Sequence, residues 1–413
     1  MDLMTYEPLG DKKNSDFFNE YRLRIYQRRK ESGLEDLLGN LCALVVQVET
    51  GDAIAYMQEL YMMTPYRFTN AFLNETHKIY FLQSKPEFPR FIVLEPLSPQ
   101  FTDDLTRLNN LYPLARKKPN ARYVGEIFTT KDLNETRNVL ESHNIRFHYP
   151  NETENKFFSN PHFYFSFRSS LTGNSVGYTP SDTYDLESPD IGDRILLGPE
   201  EVAALESAEA KAAAKGADAL ILGVDHMATR ILAGEREDAI LEFLTMSNYY
   251  FWGAYNIADQ NSSTNVNRNP NVDDDKKSPA KVFTANNTPS FVNSFENLPM
   301  PTEDFVRNFG RRMHHVAYEV ADGDHASGEK NVDFVVETLK NEGIPFLAHV
   351  VGECKDEPNL KQIFSKHSAY SILITEYVER CFGFEGFFTK SNVADLTAAA
   401  GEDERYHHGN VFD

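Results

Sequence analysis

Two stretches decide the fold, Arg311-Arg-Met-His-His-Val-Ala-Tyr-Glu-Val320 and Ser371-Ile-Leu-Ile-Thr-Glu-Tyr-Val-Glu-Arg380. Both alternate as strands do. In the second, period two puts Ile372, Ile374, Glu376 and Val378 on one face, so a carboxylate shares a surface of branched hydrocarbons. An unpaired buried charge costs roughly several kcal/mol, so Glu376 must be neutral, paired or bound to a cation. Arg380 and Arg312 are possible partners, and His315 is a possible co-ligand. A strand of the same form lies upstream, Leu222-Gly-Val-Asp-His-Met-Ala-Thr-Arg-Ile231. Both histidine strands read His-x-Ala with an apolar residue two places before the His, which makes His226 the third candidate.

Two histidines and one carboxylate from three strands form the facial set used by non-haem Fe(II) oxygenases, which leaves one side of the metal open. Read one at a time, each His serves equally as a satisfied strand histidine, and Glu376 as half of an ion pair.

The chain has 413 residues, enough for two domains with substantial cores. Thirty Phe and twenty Tyr suit a folded globular protein and argue against disorder. The formal net charge of −21 disfavours nucleic acid and anionic membrane as partners, since both require a basic face. It does not exclude an anionic substrate, because a bound cation dominates its own surroundings. No apolar run is long enough to span a bilayer and the N-terminus lacks a signal pattern, so a soluble, cytoplasmic protein is expected. Cys42, Cys354 and Cys381 are too few and scattered for a disulfide framework or a zinc cluster, which fits a reducing compartment.

A larger pattern recurs four times: an apolar strand, an amphipathic helix, then two or three strands. Residues 1–40 form a lead-in arm. Residues 41–197 hold two copies without the His, opening near Leu41 and Tyr123. The Ala- and Glu-rich run 198–216, with Pro199 at its start and Gly216 after it, reads as an interdomain helix. Residues 217–413 hold the copies opened by the His226 and His315 strands, the latter expected to continue with strands around Phe346, from Leu360 to Ser365 and from Ser371 to Val378. A polar excursion from Asp259 to about Lys277 reads as a surface loop. One such unit cannot cover both faces of its sheet, so pairs should close on each other. The fold class expected is α+β, with four βαβββ modules paired into two half-barrels. The copies that carry a His place it at the same point in the unit.

This arrangement resembles the vicinal oxygen chelate superfamily, and within it the 4-hydroxyphenylpyruvate dioxygenase family. Leu360-Lys-Gln-Ile-Phe-Ser-Lys366 is similar to that family's Leu-Leu-Gln-Ile-Phe-Thr-Lys. Thr375-Glu-Tyr-Val-Glu-Arg380 and Gly383-Phe-Glu-Gly-Phe-Phe388 follow where the family has its Glu-bearing strand and Gly-Phe-rich loop. The resemblance covers residues 217–396 by motif and 41–180 by module pattern only. It implies Fe(II) held by His226, His315 and Glu376, with Gln362 and Asn287 serving the reaction and Phe384 and Phe388 enclosing the substrate ring. His314 stands where the family commonly has Gln, and Gly386-Phe-Phe388 replaces Gly-Asn-Phe, so the ring-recognising end of the pocket departs from the family.

The activity implied is oxidative decarboxylation and hydroxylation of a small aromatic 2-oxo acid by O2, as when 4-hydroxyphenylpyruvate becomes homogentisate in tyrosine catabolism. The resemblance also implies a homo-oligomer and a C-terminal segment, from Ala398 onward, that serves as a lid; a disordered tail is the other reading of that segment. An extradiol ring-cleaving dioxygenase shares the modules and ligands but needs an acid/base such as His314 or His367. A non-enzymatic protein that binds a small aromatic is a third reading.

Overall fold

The computed structural model describes the chain except for residues 12–15, 151–156, 181–188, 271–277, 290–298, 348, 356, 385 and 402–413. Its first strands are β1 (Leu9–Gly10), β2 (Leu38–Gln47), β3 (Arg67–Leu73), β4 (His77–Gln83), β5 (Arg90–Pro96), β6 (Arg122–Thr130), β7 (Tyr164–Phe165), β8 (Ser175–Thr179) and β9 (Asp193–Ile195). The second half adds β10 (Ile221–Arg230), β11 (Tyr250–Ile257), β12 (Ser262–Arg268), β13 (Ala280–Asn286), β14 (Arg312–Val320), β15 (Asn359–Phe364) and β16 (Ile374–Cys381).

They form two eight-stranded sheets, ordered β7-β8-β6-β2-β5-β4-β3-β9 and β1-β11-β12-β13-β10-β14-β16-β15. Each sheet is built on an antiparallel pair of module-opening strands, β2 with β6 and β10 with β14. On each side the opening strand is flanked by a parallel strand that closes its own module. The fold is therefore α+β, with four modules closed in pairs.

Helices cover one face of each sheet, as the apolar spacing of the sequence requires. In helix Asn331–Asn341, Val332, Val335, Val336 and Leu339 are all buried, which is the single stripe that spacing of three and four residues produces. Helix Pro199–Ala213 packs on helix Ala53–Met63. The lead-in helix Asp16–Glu31 belongs to the second half: Arg29 donates to the carbonyls of Leu244, Ser247 and Tyr249 at 3.0, 2.7 and 2.6 Å, satisfying the C-terminal end of helix Arg236–Met246.

Three expectations need correction. The run expected as a surface loop from Asp259 contains β12, a buried strand pairing with β11 and β13; its Asn residues satisfy strand neighbours, as when Asn265 Nδ2 donates to Phe283 O at 3.2 Å. Residues 271–277 of that run lie outside the described residues. Cys354 and Cys381 are joined by a disulfide, a pairing that their separation in sequence hid. The strand expected near Phe346 reduces to an isolated bridge with Ser365. No helix among the described residues is long and apolar enough to cross a membrane.

At the seam between the halves, the Tyr377 hydroxyl donates to Met63 O at 2.6 Å, and Lys281 and Glu126, both buried, pair at 2.6 Å. Glu59 sits there too, its carboxyl raised by burial to about 7 despite a bond from Ser368. The folded chain holds that proton more tightly than the unfolded chain. The resulting stability is therefore fully present below about pH 4.5 and is lost as pH rises through about 7. Glu59→Gln should thus gain on the wild type by on the order of 2 kcal/mol between about pH 5 and about pH 8. Melting curves with the same difference at both pH values would contradict this.

Candidate metal centre

His226, His315 and Glu376 converge because of strand register. His226 on β10 pairs with Ala317 on β14, and Ala317 pairs with Glu376 on β16. The three positions form one row across the sheet, and Ala317 in the middle offers only a methyl group. His315 stands two residues from Ala317 and so on the same face. The space over Ala317 is where the three long side chains meet.

His226 Nε2 and His315 Nε2 each lie 3.1 Å from Glu376 Oε2, and 3.3 Å from each other. Two donors that hold one ion at right angles, each about 2.1 Å from it, are about 3.0 Å apart. The triangle therefore fits a single metal ion bound on one side by three protein ligands. Glu376 Oε1 is buried without a partner, which a lone ion pair between Glu376 and an arginine would not leave. Of the arginines considered for that role, Arg380 is committed to Asp225, and Arg312 bonds Asn109.

The ligand histidines are oriented from behind. His226 Nδ1–H donates to Asp225 Oδ1 at 2.8 Å. Asp225 is gripped in turn by Arg380, Nε to Oδ2 at 3.1 Å and Nη2 to Oδ1 at 2.9 Å. Burial alone would raise the Asp225 carboxyl, yet Arg380 and His226 hold it well below the usual carboxylate range. This fixes the tautomer in which His226 Nε2 presents its lone pair to the triangle. Burial would lower the His226 imidazole, but Glu376 and Asp225 push it up to about 9. Burial, with His226 and Arg230 nearby, keeps His315 well below its usual value. Burial raises the Glu376 carboxyl.

His314 Nδ1 and His315 Nδ1 are 2.8 Å apart. With His315 Nε2 turned to the ion, its Nδ1–H must donate to His314 Nδ1, so the His314 proton resides on Nε2. That atom is buried without a partner.

The triangle opens into a cavity of about 60 Å³ lined by Arg230, Thr264, His314, Gln362, Phe364 and Phe388 among others. Gln362 is fully buried and neither atom of its amide has a partner. Uncommitted buried amides are rare and point to a ligand. Phe388 lies edge-on to His226, ring centres 5.2 Å apart, and Phe387 lies 5.5 Å away on another side. Phe364 lies 4.8 Å from His315. Val393, Leu396 and Thr397 of helix Lys390–Gly401 complete the wall.

Two expected site residues are not brought here. Asn287 is exposed, and its amide donates to Ser262 O at 3.0 Å while its oxygen accepts from Arg236. Phe384 packs on the core as a partly buried residue, and the loop presents Phe388 and Phe387 to the metal ligands in its place. His367 does not line the cavity either. Asp225 and Arg230 were missed by the sequence reading, and Arg380 was considered only as a partner for Glu376, whereas it holds Asp225. The Asp immediately before His226 was the available signal for the first of them.

The first half shows the same register without the ligands. Ala43 pairs with Ile127, Ile127 with Gly177, and Val45 with Gly125. Ala43, Gly125 and Gly177 thus occupy the places of His226, His315 and Glu376. The face is filled instead by Phe72, Phe81, Phe157, Phe163 and Phe165.

Asp225→Asn keeps the shape but removes the charge that orients His226. Metal affinity in that variant, read by calorimetry, should fall by roughly 10- to 100-fold; an unchanged affinity would show that the Asp is not part of the centre.

No family model matches the chain, and no curated protein matches it in sequence. Solved structures do match. A triple mutant of 4-hydroxymandelate synthase from Streptomyces coelicolor aligns with a TM-score of 0.60 at 15% identity, over 89% of this chain and 99% of that one. A fusion protein of a xylose isomerase-like TIM barrel with 4-hydroxyphenylpyruvate dioxygenase aligns with a TM-score of 0.55 at 12% identity, over 97% of this chain and 61% of that one. At such identities it is the fold that is shared. The modules, their pairing and these likenesses together give the chain the vicinal oxygen chelate fold, in an arrangement similar to 4-hydroxymandelate synthase.

Proposed function

We propose that this chain is a non-haem Fe(II) dioxygenase that decarboxylates and hydroxylates a 2-oxo acid with an aromatic side chain, such as 4-hydroxyphenylpyruvate. The observation that carries the reading is the triangle of His226, His315 and Glu376, buried and opening on one side into a cavity with uncommitted polar groups. The donor set, two imidazoles and one carboxylate, suits Fe(II), whose binding would displace the proton that Glu376 and Asp225 hold on His226. Iron held there would supply O2 activation coupled to loss of CO2 from the 2-oxo acid.

The chain's own residues do the rest. His226, His315 and Glu376 hold one side of the ion and leave the other to substrate and O2. Phe364, Phe387 and Phe388 surround the ligand histidines and exclude water from them. The Gln362 amide orients the substrate through hydrogen bonds it makes to nothing else, and His314 Nε2–H is a second donor in the same cavity. The cavity, about 60 Å³, is small for an aromatic acid, and helix Lys390–Gly401 is the wall whose displacement would enlarge it. In this reading helix Lys390–Gly401 serves as the lid; residues 402–413 lie outside the described residues.

The extradiol reading needs a base beside the metal. His314 is adjacent, but the bond from His315 leaves its Nε2 protonated, a donor and not a base, and burial holds the ring neutral. This favours the 2-oxo acid reading.

Anaerobic loading with Fe(II), addition of 4-hydroxyphenylpyruvate and admission of O2 should release one CO2 for each O2 consumed. O2 uptake without CO2 from a catechol would select ring cleavage instead. Gln362→Leu should lower kcat/KM for the 2-oxo acid by about tenfold or more while leaving Fe(II) affinity unchanged. An unaltered kcat/KM would remove Gln362 from the site.

A further inference from the structure

At the seam between the two halves, and apart from the metal centre, three arginines line a second cavity and two more are buried beside it. This cavity, of about 280 Å³, is lined by Tyr112, Arg146, Arg168, Ser169, Gly173 and Arg311, with Asp104 on its wall. Arg122 lies immediately behind it. A Cβ added to Gly173, which has φ +71°, would stand 2.3 Å from Arg122 Nη2, so only glycine lets that guanidinium approach the floor of the cavity. Arg312 is the fifth.

What surrounds these cations is unusual for a chain with net charge −21. Arg122 and Arg312 are fully buried, and neither has a carboxylate partner among the described residues. Arg122 donates to Asn109 Oδ1 at 3.1 Å, to Gly173 O at 3.4 Å, and to Arg311 O. Arg312 donates to the same Asn109 oxygen, and its Nε and Nη1 have no partner. Arg146 lies over the Phe167 ring, 5.0 Å from its centre. Neither Arg146 nor Arg168 forms a close ion pair among the described residues, and Asp104 and Asp103 act on Arg168 at longer range, partly offsetting its burial. Arg311 pairs with Glu235, and Asp104 pairs with Arg107 at 3.5 Å. Burial and the neighbouring Arg312 and Arg168 hold the Arg122 guanidinium well below its usual pKa, as expected where like charges are crowded together.

Buried, mutually repelling cations are costly to keep. Arg146 and Arg168 present guanidinium groups to the cavity, and behind it lie two buried cations that no carboxylate among the described residues neutralises; guanidinium groups are the best shaped for multidentate bonding to an oxyanion. We infer that this cavity is a binding site for a multiply charged oxyanion of the phosphate type. The Ser169 and Ser170 segment and the Tyr112 side chain border the same space and supply neutral polar groups beside the cations. Nothing in this inference depends on the reaction proposed at the metal centre.

The test is calorimetric titration of the full chain with inorganic phosphate, with chloride at matched ionic strength as the blank. The expected result is one site per chain. Arg146→Gln, an exposed residue whose loss leaves the fold intact, should weaken binding about tenfold, and Arg168→Gln by at least as much. Fe(II) loading should be unchanged in both, since neither touches the triad. Malonate should bind about tenfold more weakly than phosphate. Wild-type heats equal to the chloride blank would overturn the site, as would phosphate binding by Arg146→Gln at wild-type affinity. Tighter binding of malonate than of phosphate would overturn the class of ligand. If Arg168→Gln fails to fold, Arg146→Gln decides.

Discussion

The centre depends on three strands keeping the register in which His226, Ala317 and Glu376 form one row. A slip of one residue in β16 would turn Glu376 to the other face and remove the carboxylate altogether. Two residues in β14 would exchange His315 for a side chain of another kind. The register is secured away from the row by the apolar residues of the opposite face, Met227, Val316 and Tyr377, which are buried beneath the helices. Core packing on one face of the sheet thus fixes the metal ligands on the other.

The same sheet supports the centre through charge. Arg380, at the end of the strand that carries Glu376, bonds Asp225 and also donates to the carbonyls of Gly386 and Phe387 at 2.9 Å each. One guanidinium therefore orients His226 and pins the loop that brings Phe387 and Phe388 against it. The first half shows how little separates such a centre from a plain core. Its sheet repeats the topology, but with Ala43, Gly125 and Gly177 at the ligand places nothing holds the interior open, and phenylalanines fill it.

Much of this was legible in the sequence. The four modules, the two histidine strands and the buried carboxylate follow from period-two alternation and repetition, which survive when identity between copies is lost. β12 was not legible, because a strand whose polar side chains are satisfied by neighbouring strands has the composition of a loop. Asn287 and Phe384 were placed in the pocket by resemblance, yet the side chains of both find partners elsewhere. The Cys354–Cys381 bridge joins the end of β16 to the loop before β15, a proximity that depends on tertiary structure. The arginine cluster at the seam draws on both halves of the chain, so no local pattern announces it.

The most direct test of the central claim is anomalous diffraction at the iron edge from crystals loaded anaerobically with Fe(II). One peak per chain is expected, bonded to His226 Nε2, His315 Nε2 and Glu376 within about 2.0–2.3 Å. A peak elsewhere, or none at full iron loading in solution, would contradict the assignment of these three residues as ligands.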